Sequence, residues 1–437
     1  MMAVPRCDAD LAGVIWAKTS KEAPIMPTPM SEGADYDLAI VGGGFLGLNT
    51  ALHGARLGLK VGLFEGGTVG SGASGRNGGI APPHYPGALR PSDVSAVLGR
   101  RKGEALAEIV TTGGRFIFDQ IRELGIDCDA EQNGWIQPAH SPKALAKVRA
   151  VYDDWKAHGA EVEWVDADYL RSELGAAGYL GGWRHPTGGA LNPLANCRGL
   201  ARAAQKAGAA IHERAPVTAI ARDGDGITLT AGGMRCRARK AFLATNGYTD
   251  GLWPGLAGTI IPLRLFQTFT EPLPEAMRES ILPSRQCFTD IRKSGGFCRW
   301  DSAGRIMSGC VHFALGDGHA RGVRHTRMRL MELYPQLADA KLEFYWEGYC
   351  ALRPDFIPNF QILDKDIYAL IGFSTRAVCL GQTMGKVAAE FLAERRDLDD
   401  IPLSVSTLDP VPRQAFRRMG TRVIYPYFRA LDRWGLT

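Results

Sequence analysis

An apolar run, Leu38-Ala39-Ile40-Val41, opens directly into Gly42-Gly43-Gly44-Phe45-Leu46-Gly47. A chain with this junction has to turn sharply from a buried strand into a helix packed on that same strand. Gly42 allows the tight turn, Gly44 lets backbone approach a pyrophosphate, and Gly47 lets helix pack on strand; Phe45 and Leu46 open the helix, whose N-terminus favours negative charge. Among 53 glycines such a hexapeptide is weak evidence alone, so context decides. The spacing predicts a helix from about Leu46 to Leu57 with Gly58 as its stop. A second strand, Val61-Gly62-Leu63-Phe64, then closes on Glu65, whose carboxylate can accept hydrogen bonds from ribose hydroxyls and disfavours a 2′-phosphate. Strand, turn, helix, strand and terminal acid in this order read as a dinucleotide-binding unit.

Which dinucleotide is indicated by Val69-Gly70-Ser71-Gly72-Ala73-Ser74-Gly75-Arg76-Asn77-Gly78-Gly79. A nicotinamide enzyme has no obvious need for this segment. An extended flavin cofactor does, because it lies beside backbone for its whole length. Ser71, Ser74, Arg76 and Asn77 offer hydroxyls, an amide and charge at close range, and Ala73, Gly78 and Gly79 keep the approach open. The bland alternative is a surface loop.

At these residues the chain resembles the D-amino-acid-oxidase-type flavoproteins, and within them the bacterial gamma-glutamylputrescine oxidase group, whose members carry the Gly-Ala-Ser-Gly-Arg-Asn-Gly-Gly of residues 72–79. The likeness runs from about Ile15-Trp16 to the C-terminus. It passes through Cys128, Thr187-Gly188-Gly189, Ala244-Thr245-Asn246-Gly247-Tyr248, Thr270-Glu271-Pro272-Leu273, Phe297-Cys298-Arg299-Trp300 and Tyr334-Pro335-Gln336-Leu337. The resemblance implies an α/β fold: a glutathione-reductase-like FAD-binding Rossmann domain interwoven with an antiparallel-sheet substrate domain. It also implies contact of Val217 with the adenine through backbone, and an N-terminal arm packed back on the body.

The expected division is an arm over 1–34, an FAD-binding domain over 35–125, 189–261 and 350–437, and a substrate domain over 126–188 and 262–349. Apolar positions at helical spacing predict a helix pair over 95–125, a helix from near Pro193 to Gly208, and a helix from Gln382 to Arg395. Alternation predicts strands at Leu263–Glu271, Gln286–Asp290, Gly296–Asp301, Arg305–Val311 and Lys341–Gly348, with the remaining strands of that sheet and one helix from 126–188. Ala241–Ala244 reads as a buried strand delivering Thr245 and Gly247 to the cofactor. Thr375, Gly381, Gln382 and Thr383 complete the cofactor side, the N-terminus of the Gln382 helix supplying positive potential where a reduced flavin carries negative charge.

Composition excludes several classes. The 51 basic and 46 acidic residues are interleaved, which argues against nucleic acid as a partner. Arg413, Arg417, Arg418, Arg422, Arg429 and Arg433 alternate with apolar residues in a helical rhythm and read as a solvated helix face. No apolar run is long enough to span a membrane and the first thirty-odd residues lack a secretory pattern, so the expected location is the cytoplasm. Nine scattered cysteines without a C-x-x-C pair read as reduced thiols. His212-Glu213 lacks a second histidine, and His312, His319 and His325 are irregularly spaced, so no metal site is expected.

Two departures from the resembled family fall on the active-site side. Gly-Tyr-Ser-Gly-His-Gly becomes Gly372-Phe373-Ser374-Thr375-Arg376-Ala377, and the histidine of Gly-Gly-x-x-His-Pro becomes Asn192. The candidate substrate-side residues are Arg376 for a substrate anion, His84 and Tyr85 after the glycine segment, Arg299 on the sheet, and Trp346 and Tyr349 as aromatic walls. The expected function is FAD-dependent oxidation of a small-molecule amine, anionic or amino-acid-like, with O2 as acceptor and FAD held non-covalently, Cys350 being an unreactive thiol. A dehydrogenase passing electrons to a quinone or an electron-transfer protein, and a flavin-binding sensor without turnover, are the alternatives.

Overall fold

The strand Ala34–Val41 lies in the middle of a nine-stranded sheet in the computed structural model, which describes residues 11–312, 316–434 and 436, and the side chains of all of these except 421–423 and 433. It pairs in parallel with Val61–Phe64 on one side and Met234–Leu243 on the other. Leu38, Ala39 and Ile40 are fully buried, because helices or strands cover both faces; this is why the run is continuously apolar rather than alternating. Outward from the centre the order is Ala210–His212 beyond Val61–Phe64, and Ile367–Ile371, Asn359–Asp364 and Ser404–Ser406 beyond Met234–Leu243. The hairpin Val217–Asp223 and Gly226–Ala231 pairs onto Met234–Leu243.

Three helices pack over the turn. The helix Phe45–Arg56 runs back along its strand, Gln382–Leu392 packs against it through Gly385, whose added Cβ would stand 2.5 Å from the Asn49 Cβ, and Pro193–Lys206 completes the layer. The expected pair over 95–125 is found as Pro91–Leu98 and Arg100–Leu124.

The second sheet has eight strands in the order Leu342–Leu352, Ile261–Thr270, Ile306–Val311, Phe297–Trp300, Cys287–Thr289, Trp135–Ala139, Gly181–His185 and Glu163–Asp166. All its pairings are antiparallel except Cys287–Thr289 with Trp135–Ala139, which is parallel. Residues 126–188 hold two helices rather than one: Ser141 caps Pro142–Ala157 by accepting from the Ala144 amide, and Asp166 caps Ala167–Leu174 by accepting from Tyr169. The helix Gly318–Leu333 was not expected at all. Its buried apolar residues, Leu330 and Leu333, are too sparse among histidines and arginines to print a period.

The N-terminal arm belongs to the body. Leu11, Val14, Ile15 and Trp16 are buried with Leu194, Phe269, Met307 and Trp346. Thr28 donates its amide to Ile211. The basic C-terminal stretch forms the expected helix, Gln414–Arg433; Arg413 and Arg417 are exposed as expected, Arg429 instead turns inward to the Val311 carbonyl, and Phe416, Met419, Tyr427 and Trp434 also face out. Eight of the cysteines are free and buried, and Cys7 lies outside the described residues.

Candidate active site

Four segments converge at the carboxyl ends of the parallel strands. Gly42 has φ +111°, and a Cβ there would stand 3.0 Å from the Ala244 carbonyl oxygen; at Gly47 it would meet the Gly42 carbonyl at 2.0 Å. Both positions therefore exclude a side chain. At Gly44 a Cβ would reach the Ser74 hydroxyl at 2.8 Å, and that hydroxyl accepts from the Phe45 amide at 2.9 Å, so the glycine segment closes over the helix N-terminus. Leu46 is buried behind it. Glu65 is held by the amides of Gly43 (2.7 Å) and Gly67 (2.8 Å), at the end of its strand as expected, with Val217 starting the neighbouring hairpin strand next to Pro216, which packs on Gly66.

The segment 70–79 is shaped largely by its own side chains. Asn77 Nδ2 donates to the carbonyls of Ala73 and Ser74, and its Oδ1 accepts from the Gly79 amide. Arg76 Nε donates to the Ser71 carbonyl at 2.7 Å, and Gly78 lies under Met307 and Phe297. Arg76 and Asn77 thus shape the cradle from behind rather than presenting all their donors to it. Thr245 stands beside Gly42 and Gly247 against the backbone of Tyr349 and Cys350, and the Asn246 side chain accepts from the Gly372 amide at 2.9 Å, tying that turn to the loop after Ile367–Ile371. In this loop Ser374 and Thr375 both have positive φ, +47° and +71°, a conformation that costs energy in residues with a Cβ and that clusters at functional sites. It runs into a π-turn, Ala377–Gly381, that brings Gly381 against Phe45. Gln382 and Thr383 spend side-chain donors within their own turn, on Val378 and on Cys379 and Leu380, leaving backbone as their means of contact with a cofactor.

Two of the expected substrate-side residues meet here. Arg376 Nη2 donates to His84 Nε2 at 3.1 Å, joining the loop to the end of the glycine segment. His84 is buried, stacked on Trp135 with ring centroids 4.3 Å apart and edge-on to Trp183. Burial, with Arg376 and His185 nearby, holds its imidazole well below 6.5, so it is neutral and accepts at Nε2; the proton is therefore assigned to Nδ1, which is buried without a partner. Burial likewise pushes the Arg376 guanidinium down to about 10. Its Nη1 donates to the carbonyl and hydroxyl of Thr375, its Nε is buried and unpartnered, and among the described residues no carboxylate pairs with it.

The other candidates are placed differently. Arg299 is buried, and its Nε and Nη1 are committed to the carbonyls of Trp300, Gly78, Gly79 and Leu191, so it holds the cradle. Trp346 packs against Trp16 and Phe269 and donates its indole N–H to the Arg76 carbonyl at 2.9 Å, which makes it a prop of the glycine segment rather than an open wall. Tyr85 points away, stacked on Trp155 at 5.3 Å with its hydroxyl buried. Tyr349 lies edge-on to Tyr248 at 6.1 Å, beside Gly247 and Gly348. Asn192 is a helix cap: its Oδ1 accepts from Leu194 and Ala195, and its Nδ2 donates to Thr19 of the arm. Sequence reasoning passed over Trp135 and Trp183, aromatic strand residues that no local pattern marks, and took Tyr248 only as part of the stretch Ala244–Tyr248 and not as a site residue.

A tight glycine turn closed by an acid, a second glycine segment folded over the helix N-terminus, and a second large sheet beside the first define a flavoprotein of mixed α/β fold. The residues fit FAD on the structure's own terms, since the turn positions that approach a pyrophosphate are those where a Cβ has no room. The family model for FAD dependent oxidoreductases (DAO) matches residues 37–391, and the chain belongs to that family. It is 31% identical to gamma-glutamylputrescine oxidoreductase of Escherichia coli strain K12, over 87% of this chain and 89% of that protein. It is 26% identical to the probable oxidoreductase OrdL of Haemophilus influenzae, over 93% and 94% of the two chains. In fold it is similar to the crystal structure of glycine oxidase from Geobacillus kaustophilus, with a TM-score of 0.70 and 21% identity, covering 87% of this chain and 99% of that one.

Proposed function

We propose that the chain oxidises a carboxylate-bearing amine or amino acid, with Arg376 holding the carboxylate and O2 accepting the electrons. The observation that carries this is a partly buried guanidinium without a carboxylate partner among the described residues, beside a neutral histidine. A buried cation left unpaired is costly, and a substrate carboxylate supplies the missing charge through a planar fork of donors. The Escherichia coli relative is named for a substrate, gamma-glutamylputrescine, that combines amine and carboxylate.

The chemistry FAD supplies is acceptance of a hydride from the amine-bearing carbon, leaving an imine that water hydrolyses to a carbonyl, with two electrons passed on to O2 as H2O2. This chain's residues do the rest. Arg376 fixes the anionic end of the substrate, and so the carbon that faces the flavin. His84, neutral throughout, accepts from Arg376 and keeps the guanidinium in place without adding a second positive charge. Tyr349 on the second sheet and Tyr248 on the turn after Met234–Leu243 stand edge-on to each other as aromatic walls. No acid or base of the chain is needed for a substrate that arrives with its amine unprotonated.

The test is a panel of amines and amino acids mixed anaerobically with FAD-loaded protein, scored by loss of flavin absorbance, then exposed to air and scored for peroxide. Bleaching by carboxylated amines followed by peroxide is the expected result. Failure of every amine to bleach the flavin contradicts the reading, and bleaching without peroxide replaces O2 with a quinone or protein acceptor.

A further inference from the structure

The C-terminal helix Gln414–Arg433 presents two faces. One is docked on the body along its length: Gln414 Nε2 donates to the Ala257 carbonyl, Tyr425 packs with Leu263, Val311 and Cys350, Arg429 donates to the Val311 carbonyl, and Asp432 accepts from the Ser294 amide. The other faces solvent, and there Phe416 is 68% exposed, Met419 59%, Tyr427 59% and Trp434 69%. At about 100° per residue these four fall within an arc of roughly 80°, and at about 1.5 Å per residue the stripe is about 27 Å long. Ile424, also exposed, widens it. Single exposed apolar residues need no explanation; an aligned aromatic stripe does.

The charge of the same segment is equally uneven. Residues 411–437 carry six arginines against the single Asp432, a net +5 that equals the formal +5 of the whole chain, so the rest of the sequence is balanced. Arg413 and Arg417 are exposed and border the stripe.

We propose that this face lies on an anionic lipid bilayer, with Phe416, Met419, Tyr427 and Trp434 seated at the boundary of headgroups and acyl chains and the arginines against lipid phosphates. A helix with aromatic residues on one side and arginines flanking them, and no acidic residue exposed on it, has the chemistry of an interfacial helix. It does not span: no described helix is long and apolar enough to cross a membrane. A second copy of the chain fits less well, because a two-fold contact through this stripe sets a +5 segment against its own image.

The experiment is co-sedimentation of the full, FAD-loaded chain with vesicles of phosphatidylglycerol and phosphatidylcholine in equal parts, and with phosphatidylcholine alone, at low and high salt. The expected result is binding to the mixed vesicles that high salt releases. R413Q/R417Q should weaken partition by about 25-fold, at about fivefold per charge. F416S/Y427S/W434S should abolish it while flavin content and amine turnover stay unchanged. As a second measurement, brominated phosphatidylglycerol should quench tryptophan emission in the wild type and not in W434F. No binding to mixed vesicles at low salt, equal binding to pure phosphatidylcholine, or a lipid-independent dimer that the triple variant disperses would each overturn the proposal.

Discussion

Replacing Arg299 by methionine separates a support of the cradle from a substrate ligand. The guanidinium is enclosed and donates Nε to the Trp300 carbonyl at 2.9 Å and Nη1 to the carbonyls of Leu191 (2.6 Å), Gly79 (3.1 Å) and Gly78 (3.2 Å). It also stands 5.3 Å from the Trp16 ring centroid. Charge-assisted bonds contribute about 1.5–3 kcal/mol each, and an orphaned buried carbonyl costs about 1–3 kcal/mol. The Gly79 carbonyl retains the Leu191 amide, and Nη1 shares its protons among three acceptors, so the sum is smaller than four full bonds. Methionine also relieves the desolvation of the buried cation, which leaves a loss of about 4 kcal/mol. At about 1 °C per kcal/mol for a protein of this size, Tm falls by about 4 °C. The assay is thermal unfolding followed by flavin fluorescence, with KM for the amine measured at saturating FAD. Lower Tm and weaker FAD retention with KM unchanged is the expected outcome; an unchanged Tm with a tenfold rise in KM would refute the reasoning and make Arg299 a substrate ligand.

Two further outcomes follow from buried groups. Burial pushes the Cys350 thiol up to about 12, so at neutral pH it carries almost no thiolate; acid precipitation should release all the flavin, and Cys350→Ser should bind FAD as the wild type does. Burial alone would raise the Asp290 carboxyl, but Arg292 and Arg329 outweigh it and hold the group at about 2. A folded-state value below the unfolded one means stability that is complete above about pH 4 and is lost as pH falls through about 2, worth about 2 kcal/mol; acid titration of Asp290→Asn should lack that component, and the variant should be less stable at pH 7 by about 3 kcal/mol.

What could be read from the sequence was local. The glycine turn, its strand and Glu65 announce themselves within one stretch, and the alternating strands of the second sheet show their period. Roles set by distant partners were not readable: the acceptors of Arg299 lie at 78, 79 and 191, and Trp346 props a carbonyl 270 residues away. Asn192 looked like an altered active-site position because only its neighbours were visible; its actual work is to cap Pro193–Lys206. Arg376 and His84 were each candidates, but their contact joins residues 292 positions apart, and nothing in either local sequence pairs them. Of the C-terminal arginines, Arg413 and Arg417 are solvated as the helical rhythm suggests, whereas Arg429 is not, because that rhythm does not say which residues the docked face takes.

The claim that Arg376 reads a substrate carboxylate is tested most directly by kcat/KM for an amine and its carboxylated counterpart in the wild type, Arg376→Ala and Arg376→Lys. The wild type should favour the carboxylated member, and Arg376→Ala should lose about ten- to a hundredfold on it while sparing the other, as expected for one charge-assisted interaction of about 1.5–3 kcal/mol. Lysine should recover part of the loss, having charge but no planar fork. A pH series adds the sign. The free protein holds the guanidinium proton at about 10, a bound carboxylate holds it more tightly, and affinity for a carboxylate inhibitor is therefore full below about pH 10 and falls above it. Equal efficiency of all three proteins on the carboxylated amine would contradict the account.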